Sequence, residues 1–351
     1  MMMAAALGVL VSCGSVKSGE EVVAASRDSK VVVAYVTSWS EVMPDPQYMT
    51  HINYAFGHVN ESFNGVKIDN EERLKQIVDL RKQKPELKVL LSIGGWGSGR
   101  FSEMAANDEY RRAFAADCDR VVKKFALDGI DIDWEYPTSS MANISSSPDD
   151  TENFTLLMQD IRAAIGNEKE LTLATVASAR YIDFKAILPS VDFVNIMAYD
   201  MASAPKHHSA LYPSGHSGDI TSDGAVTAHL KAGVPPSKLV MGMPFYGRGG
   251  DGYPSFQDYN KVGNTDTQYT EKWDEVAQVP YLADKNDTLV FGFENPRSLA
   301  IKCQYILDKD LLGGMYWDYS GDNEQGDLRR TVAENLLGKP HKAKVLVLTE
   351  R

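Results

Sequence analysis

The sequence predicts an α/β protein built as a (β/α)8 TIM barrel with a short insertion between its seventh and eighth strands. Three observations carry that prediction: strand-like and helix-like runs alternate along the chain, there are eight of the former, and one strand is apolar on one face and acidic on the other. Alternation of this kind gives parallel strands joined by right-handed helical crossovers. A length of 351 residues suits one barrel of about 250 residues with additions.

In chain order, residues 1–13 read as a leader: a short apolar run from Ala4 to Val11, then Ser12-Cys13. The run is too short to span a bilayer and suits a secretory signal. Leu10-Val11-Ser12-Cys13 resembles a bacterial lipobox, which makes Cys13 the expected lipidation site and implies export to the cell surface, outer membrane or medium, although no Lys or Arg precedes the run. Residues 14–30 are polar and aperiodic, a tether. The predicted strands are 31–37, 51–56, 88–93, 129–135, 171–177, 193–199, 239–246 and 314–319. Amphipathic helices are expected at 70–82, 108–125, 151–165, 223–232 and 326–337, and residues 338–351 form a tail. The interval from about 250 to 295 is too long for a simple crossover. It reads as a compact insertion with a hairpin turning at 284–287, followed by a helix opening after Asn295-Pro296.

The net charge of −12 argues against nucleic acid or an anionic membrane surface as the main partner. No P-loop, no G-x-G-x-x-G after a strand and no G-x-S-x-G elbow occurs, which disfavours phosphate, dinucleotide and serine-hydrolase chemistry. His207, His208 and His216 lack metal-ligand spacing and read as rim residues. Neither a metal nor a cofactor is expected, and the chain is expected to be a monomer. Cys118 and Cys303 fall in separate helical runs and read as buried thiols rather than a disulfide.

The chemistry is expected at residues 128–137, Asp-Gly-Ile-Asp-Ile-Asp-Trp-Glu-Tyr-Pro. Strand periodicity turns Asp131, Asp133 and Glu135 to one side and Ile130, Ile132 and Trp134 to the other. Stacked carboxylates repel and are costly to desolvate, so a solvated edge strand would be the simpler reading were its other face not so apolar. A barrel resolves this by burying the apolar face under helices and turning the acids inward, with Glu135 at the C-terminal end where such barrels carry their chemistry. Other strand ends add Gly95 and Trp96, Met197, Tyr199 and Asp200, Tyr246, and Trp317. Taken singly, each reads equally well as a turn or core residue. Their coincidence around the acid row marks a site, and flat aromatic surfaces suit sugar rings.

Asp128-x-x-Asp131-x-Asp133-x-Glu135 resembles the signature of the family 18 glycoside hydrolases. The likeness extends through Ser92-Ile-Gly-Gly-Trp96, Met197-Ala-Tyr-Asp200, the run from Met243 to Arg248 and Met315-Tyr-Trp317, over residues 31–337. The resemblance implies hydrolysis of β-1,4-linked N-acetylglucosamine by a retaining mechanism in which the substrate's 2-acetamido group is the nucleophile. It casts Glu135 as general acid and base, Asp133 as partner of the amide N–H sharing a proton with Asp131, and Tyr199 as donor to the amide carbonyl. Asp200 would tune the acids, Trp317 would floor the reacting sugar, and Gly95, Trp96, Tyr136, Met197 and Tyr246 would line the cleft. The insertion is shorter than in fuller members, implying a shallower cleft and endo-cleavage. The acid motif leaves open an endo-β-N-acetylglucosaminidase acting on the N-glycan core, or a non-catalytic chitin-binding lectin; retention of Glu135 speaks against the lectin.

Overall fold

A computed structural model describes residues 30–250, 252–262 and 268–338. Cys13, the leader, most of the tether and the tail lie outside them. In chain order the elements are β1 (Val31–Thr37), β2 (His51–Val59), β3 (Val66–Ile68), α1 (Glu71–Val78), β4 (Lys88–Gly94), α2 (Phe101–Ala106), α3 (Asp108–Phe125) and β5 (Gly129–Asp133). They continue with α4 (Asp150–Ile165), β6 (Glu170–Val176), α5 (Phe184–Ile187), β7 (Phe193–Met197), α6 (Ser222–Lys231), β8 (Leu239–Pro244), β9 (Tyr246–Gly249) and β10 (Gln257–Asp258). The last are β11 (Thr270–Asp274), β12 (Val279–Ala283), β13 (Leu289–Gly292), α7 (Pro296–Asp308), β14 (Gly313–Trp317) and α8 (Asp327–Leu337).

Strands β1, β2, β4, β5, β6, β7, β8 and β14 pair in parallel in that order, and β14 closes back onto β1. This is the predicted (β/α)8 barrel. Side-chain alternation splits its core in two. Outward residues such as Ile130, Ile132 and Trp134 join the large cluster beneath the helices, with Trp134 stacked on Phe101 at 5.3 Å. Inward residues Val33, Tyr35, Ala55, Phe56, Phe193, Val240 and Met315 fill the barrel itself.

Local sequence sets the helix ends. Asn107 caps α3 by accepting from the N–H groups of Glu109 and Tyr110, and left-handed Ala126 terminates that helix. Asn295 and Ser298 form a reciprocal capping box on α7, with Pro296 in its first turn where no N–H is needed. Asp128 works at the opposite end of β5 from the acids: its carboxylate accepts from the Val89 N–H at 2.7 Å and pairs with Arg81.

The insertion is more elaborate than the single hairpin the sequence predicts. Besides β12 and β13, which turn where expected, it contains β10 and β11, and β9 just before it completes a five-stranded antiparallel sheet in the order β10-β9-β13-β12-β11. Its own small core holds Leu282, Val290, Phe291 and Phe293. The additional strands escape periodicity because β10 is two residues long and β9 is interrupted by glycine. Cys118 and Cys303 are both buried and free, as the sequence predicts. Among the described residues no helix is long and apolar enough to cross a membrane.

Candidate active site

A cleft of about 660 Å³ opens where the barrel strands end, and Asp133, Glu135, Tyr136, Met197, Tyr199, Asp200, Tyr246, Trp96 and Trp317 all line it. A larger groove of about 1170 Å³ runs between the insertion and the Asp322–Arg329 region, but no member of the acid row reaches it. The cleft with the acids is the chemical site.

The acid row has three different environments. Asp131 is fully buried beneath the cleft and accepts four hydrogen bonds: Tyr35 Oη at 2.9 Å and Ser92 Oγ at 2.8 Å on Oδ2, Thr172 Oγ1 at 2.6 Å and Asn195 Nδ2 at 3.3 Å on Oδ1. Strand register explains the fit, since Ser92 pairs with Asp131 and Asp131 with Thr172 across β4, β5 and β6. Burial raises the Asp131 pKa, and these four donors oppose the rise. Each Asp131 oxygen thus accepts two of these hydrogen bonds.

Asp133 is buried, and its Oδ1 has no hydrogen-bond partner in the protein. Burial first, then repulsion from Glu135 and Asp131, holds its pKa well above the usual carboxylate range. An unpartnered buried oxygen at the wall of a cleft is an open acceptor for a ligand N–H.

Glu135 lies past the end of β5, which stops at Asp133 rather than running to residue 135. The ladder ends there because Gly94, the register partner of Asp133, is the last residue of β4. Burial raises the Glu135 pKa to about 7; the Tyr136 hydroxyl bonded to it works in the other direction, and the Asp200 charge adds to the rise. Its carboxyl therefore keeps a proton near neutrality, as a general acid requires. With only the protonated form competent, kcat/KM is expected to fall about tenfold per pH unit above about 7 in a pH–rate profile.

Asp200 behaves oppositely. Burial works to raise its pKa, but Arg248 bonds both its oxygens, at 2.7 and 2.6 Å, and His208 Nδ1 lies 3.4 Å from Oδ1, so the group is held low and stays ionised. A permanent negative charge beside Glu135 is part of what keeps Glu135 protonated. Tyr199 stands between the acids and Tyr246, 6.0 Å from the latter's ring, and burial pushes its phenol well up, so it remains a donor.

Aromatic rings complete the cleft. Trp317, at the end of β14, stacks on Phe56 at 5.6 Å and touches Tyr35 and Trp39. Trp96 is 60% exposed and meets the Tyr136 ring edge-on at 6.4 Å. Gly95 does not face the cavity. It has φ of +92°, and a Cβ there would meet the Phe56 ring at 2.6 Å, so only glycine lets the segment after β4 approach β2. Asp128 is likewise outside the cleft.

Several cleft residues were not singled out by sequence reasoning. Trp39, Phe56, Arg248 and Phe256 line the cavity, and Tyr35 both lines it and holds Asp131. The rim assignment fails for His207 and His208, both buried: His208 contacts Asp200, and His207 Nε2 lies 3.2 Å from Asp274 on the insertion. A dipeptide in a long polar loop gave no periodicity to read. Among the described residues no cluster of His, Cys, Asp and Glu could hold a metal ion.

The sequence profile of the glycosyl hydrolases family 18 matches residues 31–322. The chain belongs to that family. It is similar to chitinase A1 of Niallia circulans, with 30% identity covering 86% of this chain and 58% of that protein. It is similar also to chitotriosidase-1 of Mus musculus, at 31% identity over 84% of this chain and 74% of that one. The chain thus spans little more than half of the bacterial relative's length. Among solved structures, a family 18 N-acetylglucosaminidase from Paenibacillus barengoltzii superposes with a TM-score of 0.80 at 32% identity, covering 87% of this chain and 99% of that one. The family 18 match covers the barrel, the acid row and the insertion.

Proposed function

We propose that the chain hydrolyses β-1,4-linked N-acetylglucosamine chains, as chitin or chito-oligosaccharides, with retention of configuration and with the substrate's own acetamido group as nucleophile. The observation that carries this reading is the pairing of a protonated Glu135 with the open, buried Oδ1 of Asp133 in one cleft. The kinship with chitinases and with an N-acetylglucosaminidase supports the sugar.

In the first step Glu135 gives its proton to the glycosidic oxygen as the C1–O bond breaks. The carbonyl oxygen of the 2-acetamido group bonds to C1, forming an oxazolinium ion. Asp133 accepts the amide N–H and offsets the positive charge that develops on it, and the Tyr199 hydroxyl donates to the carbonyl oxygen and aims it. In the second step the Glu135 carboxylate takes a proton from water as the water oxygen attacks C1 and the ring opens. Attack from the acetamido face and then from the opposite face restores the β-configuration. Trp317 provides the flat floor under the reacting sugar. We propose endo-cleavage, since Trp39 and Trp96, which both line the cleft, are each more than half exposed and free to pack on further sugar units.

The test is incubation with chitohexaose and, separately, with a high-mannose glycoprotein. Chito-oligosaccharide products released first as the β-anomer, by proton NMR, are expected. Release from the glycoprotein alone would instead favour an N-glycan-directed enzyme, and a first-formed α-anomer would exclude retention.

A further inference from the structure

Five residues that line the cleft carry a carboxyl or guanidinium group: Asp133, Glu135, Arg180, Asp200 and Arg248. Four of them are balanced by their surroundings. Asp200 and Arg248 neutralise each other through hydrogen bonds of 2.7 and 2.6 Å, and burial favours the protonated forms of Asp133 and Glu135. Arg180 is the exception. It is exposed on the cleft wall, and among the described residues its guanidinium has no hydrogen bond, ion pair or ring contact. A permanent cation thus faces the cleft without a counter-charge, in a chain whose net charge is −12.

The backbone keeps it there. Arg180 lies in the segment after β6, between Ala179 at φ of +57° and Tyr181 at φ of +74°. An L-residue enters that left-handed region only at a conformational cost, so other contacts have to enforce it. They act on both sides of Arg180. The Ala179 N–H donates to Val176 O at 3.0 Å, and the Thr151 hydroxyl of α4 donates to Tyr181 O at 2.9 Å. The Tyr181 ring stacks on that of Tyr136, 5.6 Å away at an angle of 17°. Tyr136 directly follows Glu135, so the segment that presents Arg180 is packed against the one that presents the proton donor. A neutral sugar chain offers such a cation only hydroxyl groups, whereas a carboxylate matches the planar guanidinium fork and supplies the missing charge.

We propose that Arg180 is a specificity-determining residue that makes the cleft favour N-acetylglucosamine chains bearing carboxylate groups over neutral ones. This rests on the hydrolase reading above and narrows the class of chain taken. Because the guanidinium is exposed, the attraction is that of a solvent-screened pair, modest in size and weakened by salt.

The test uses two soluble polymers with one backbone, carboxymethyl-chitin and hydroxyethyl-chitin, both substituted at the primary hydroxyl and differing there in charge. At low ionic strength kcat/KM of the parent is expected to be about 2–5-fold higher on the carboxymethyl polymer, the effect of one exposed ion pair. In Arg180→Gln the ratio should fall to one or below, since the remaining charge of the chain repels a polyanion. Arg180→Lys keeps the charge and loses the fork, and should fall between the two. Molar salt should bring the parent's ratio toward unity. A parent ratio at or below one would overturn the proposal. So would a ratio that Arg180→Gln leaves unchanged, which is the outcome if Arg180 only shapes its segment or binds hydroxyls. A readout independent of turnover is isothermal titration of the parent and Arg180→Gln, each also carrying Glu135→Gln, with the two polymers. The parent background should bind the carboxymethyl polymer more tightly and the Arg180→Gln background should not; equal preference in both would overturn the proposal. A parent chain that cleaves neither polymer would sink the hydrolase reading, and the titration alone would then decide on Arg180.

Discussion

Glu135→Gln is expected to lower kcat on chitohexaose by roughly 10³-fold or more while leaving oligosaccharide binding within a few-fold of the parent. Glutamine keeps the size and the hydrogen-bonding reach of the acid but cannot release a proton to the leaving oxygen. Isothermal titration with the intact hexasaccharide reads the binding, and turnover near the parent rate would remove Glu135 from its role. The same variant carries a second, opposite signature. Burial raises the folded-state pKa from an ordinary 4.5 to about 7, so the native protein holds this proton more tightly than the unfolded chain. That contribution to stability is complete below pH 4.5 and is lost as pH rises through 7. At pH 8 the parent therefore bears an ionised, largely buried carboxylate that the glutamine variant lacks. The variant should be more stable there by roughly 1–2 kcal/mol, with the gap closing toward pH 5. Melting curves at the two pH values check the sign, and a variant less stable at pH 8 would contradict it.

Asp133→Asn should cost roughly 10²–10³-fold in kcat with little loss of stability. The buried Oδ1 makes no hydrogen bond inside the protein, so the folded chain loses no partner there. What is lost is the ionisable carboxyl that faces the amide N–H and can take on the charge that offsets the cationic intermediate. Asp131→Asn is the contrasting case. All four partners of Asp131 are used as donors, and an amide NH2 would face two of them. That variant should lose about 1–3 kcal/mol as well as activity. Thermal denaturation separates the two, and equal destabilisation would mean that Asp133 is held by something other than substrate. A companion measurement uses cello-oligosaccharides, whose sugars have no acetamido group; hydrolysis at a similar rate would refute the substrate-assisted route.

How much of this was legible in the sequence follows from how the signals are encoded. The barrel was readable because its strands are buried on both faces and read as apolar runs, with caps such as Asn295-Pro296 at helix starts. The acid row was readable because period-two alternation survives in a single segment. The partners of Asp131 were not, because Tyr35, Ser92, Thr172 and Asn195 come from four strands up to 160 residues apart in sequence and meet only through register. Each is a polar residue in a mostly apolar strand, a weak signal that gains meaning only once the strands are ordered. Arg248 and His208 escaped for a related reason, since their shared target, Asp200, lies in a third segment.

The four donors around Asp131 also bear on transplanting this chemistry. A designer who copied residues 128–137 into another eight-stranded scaffold would import three carboxylates and none of the hydroxyl and amide groups that make the innermost one tolerable. The graft would have to carry substitutions on four further strands before it could even be expressed as a folded host.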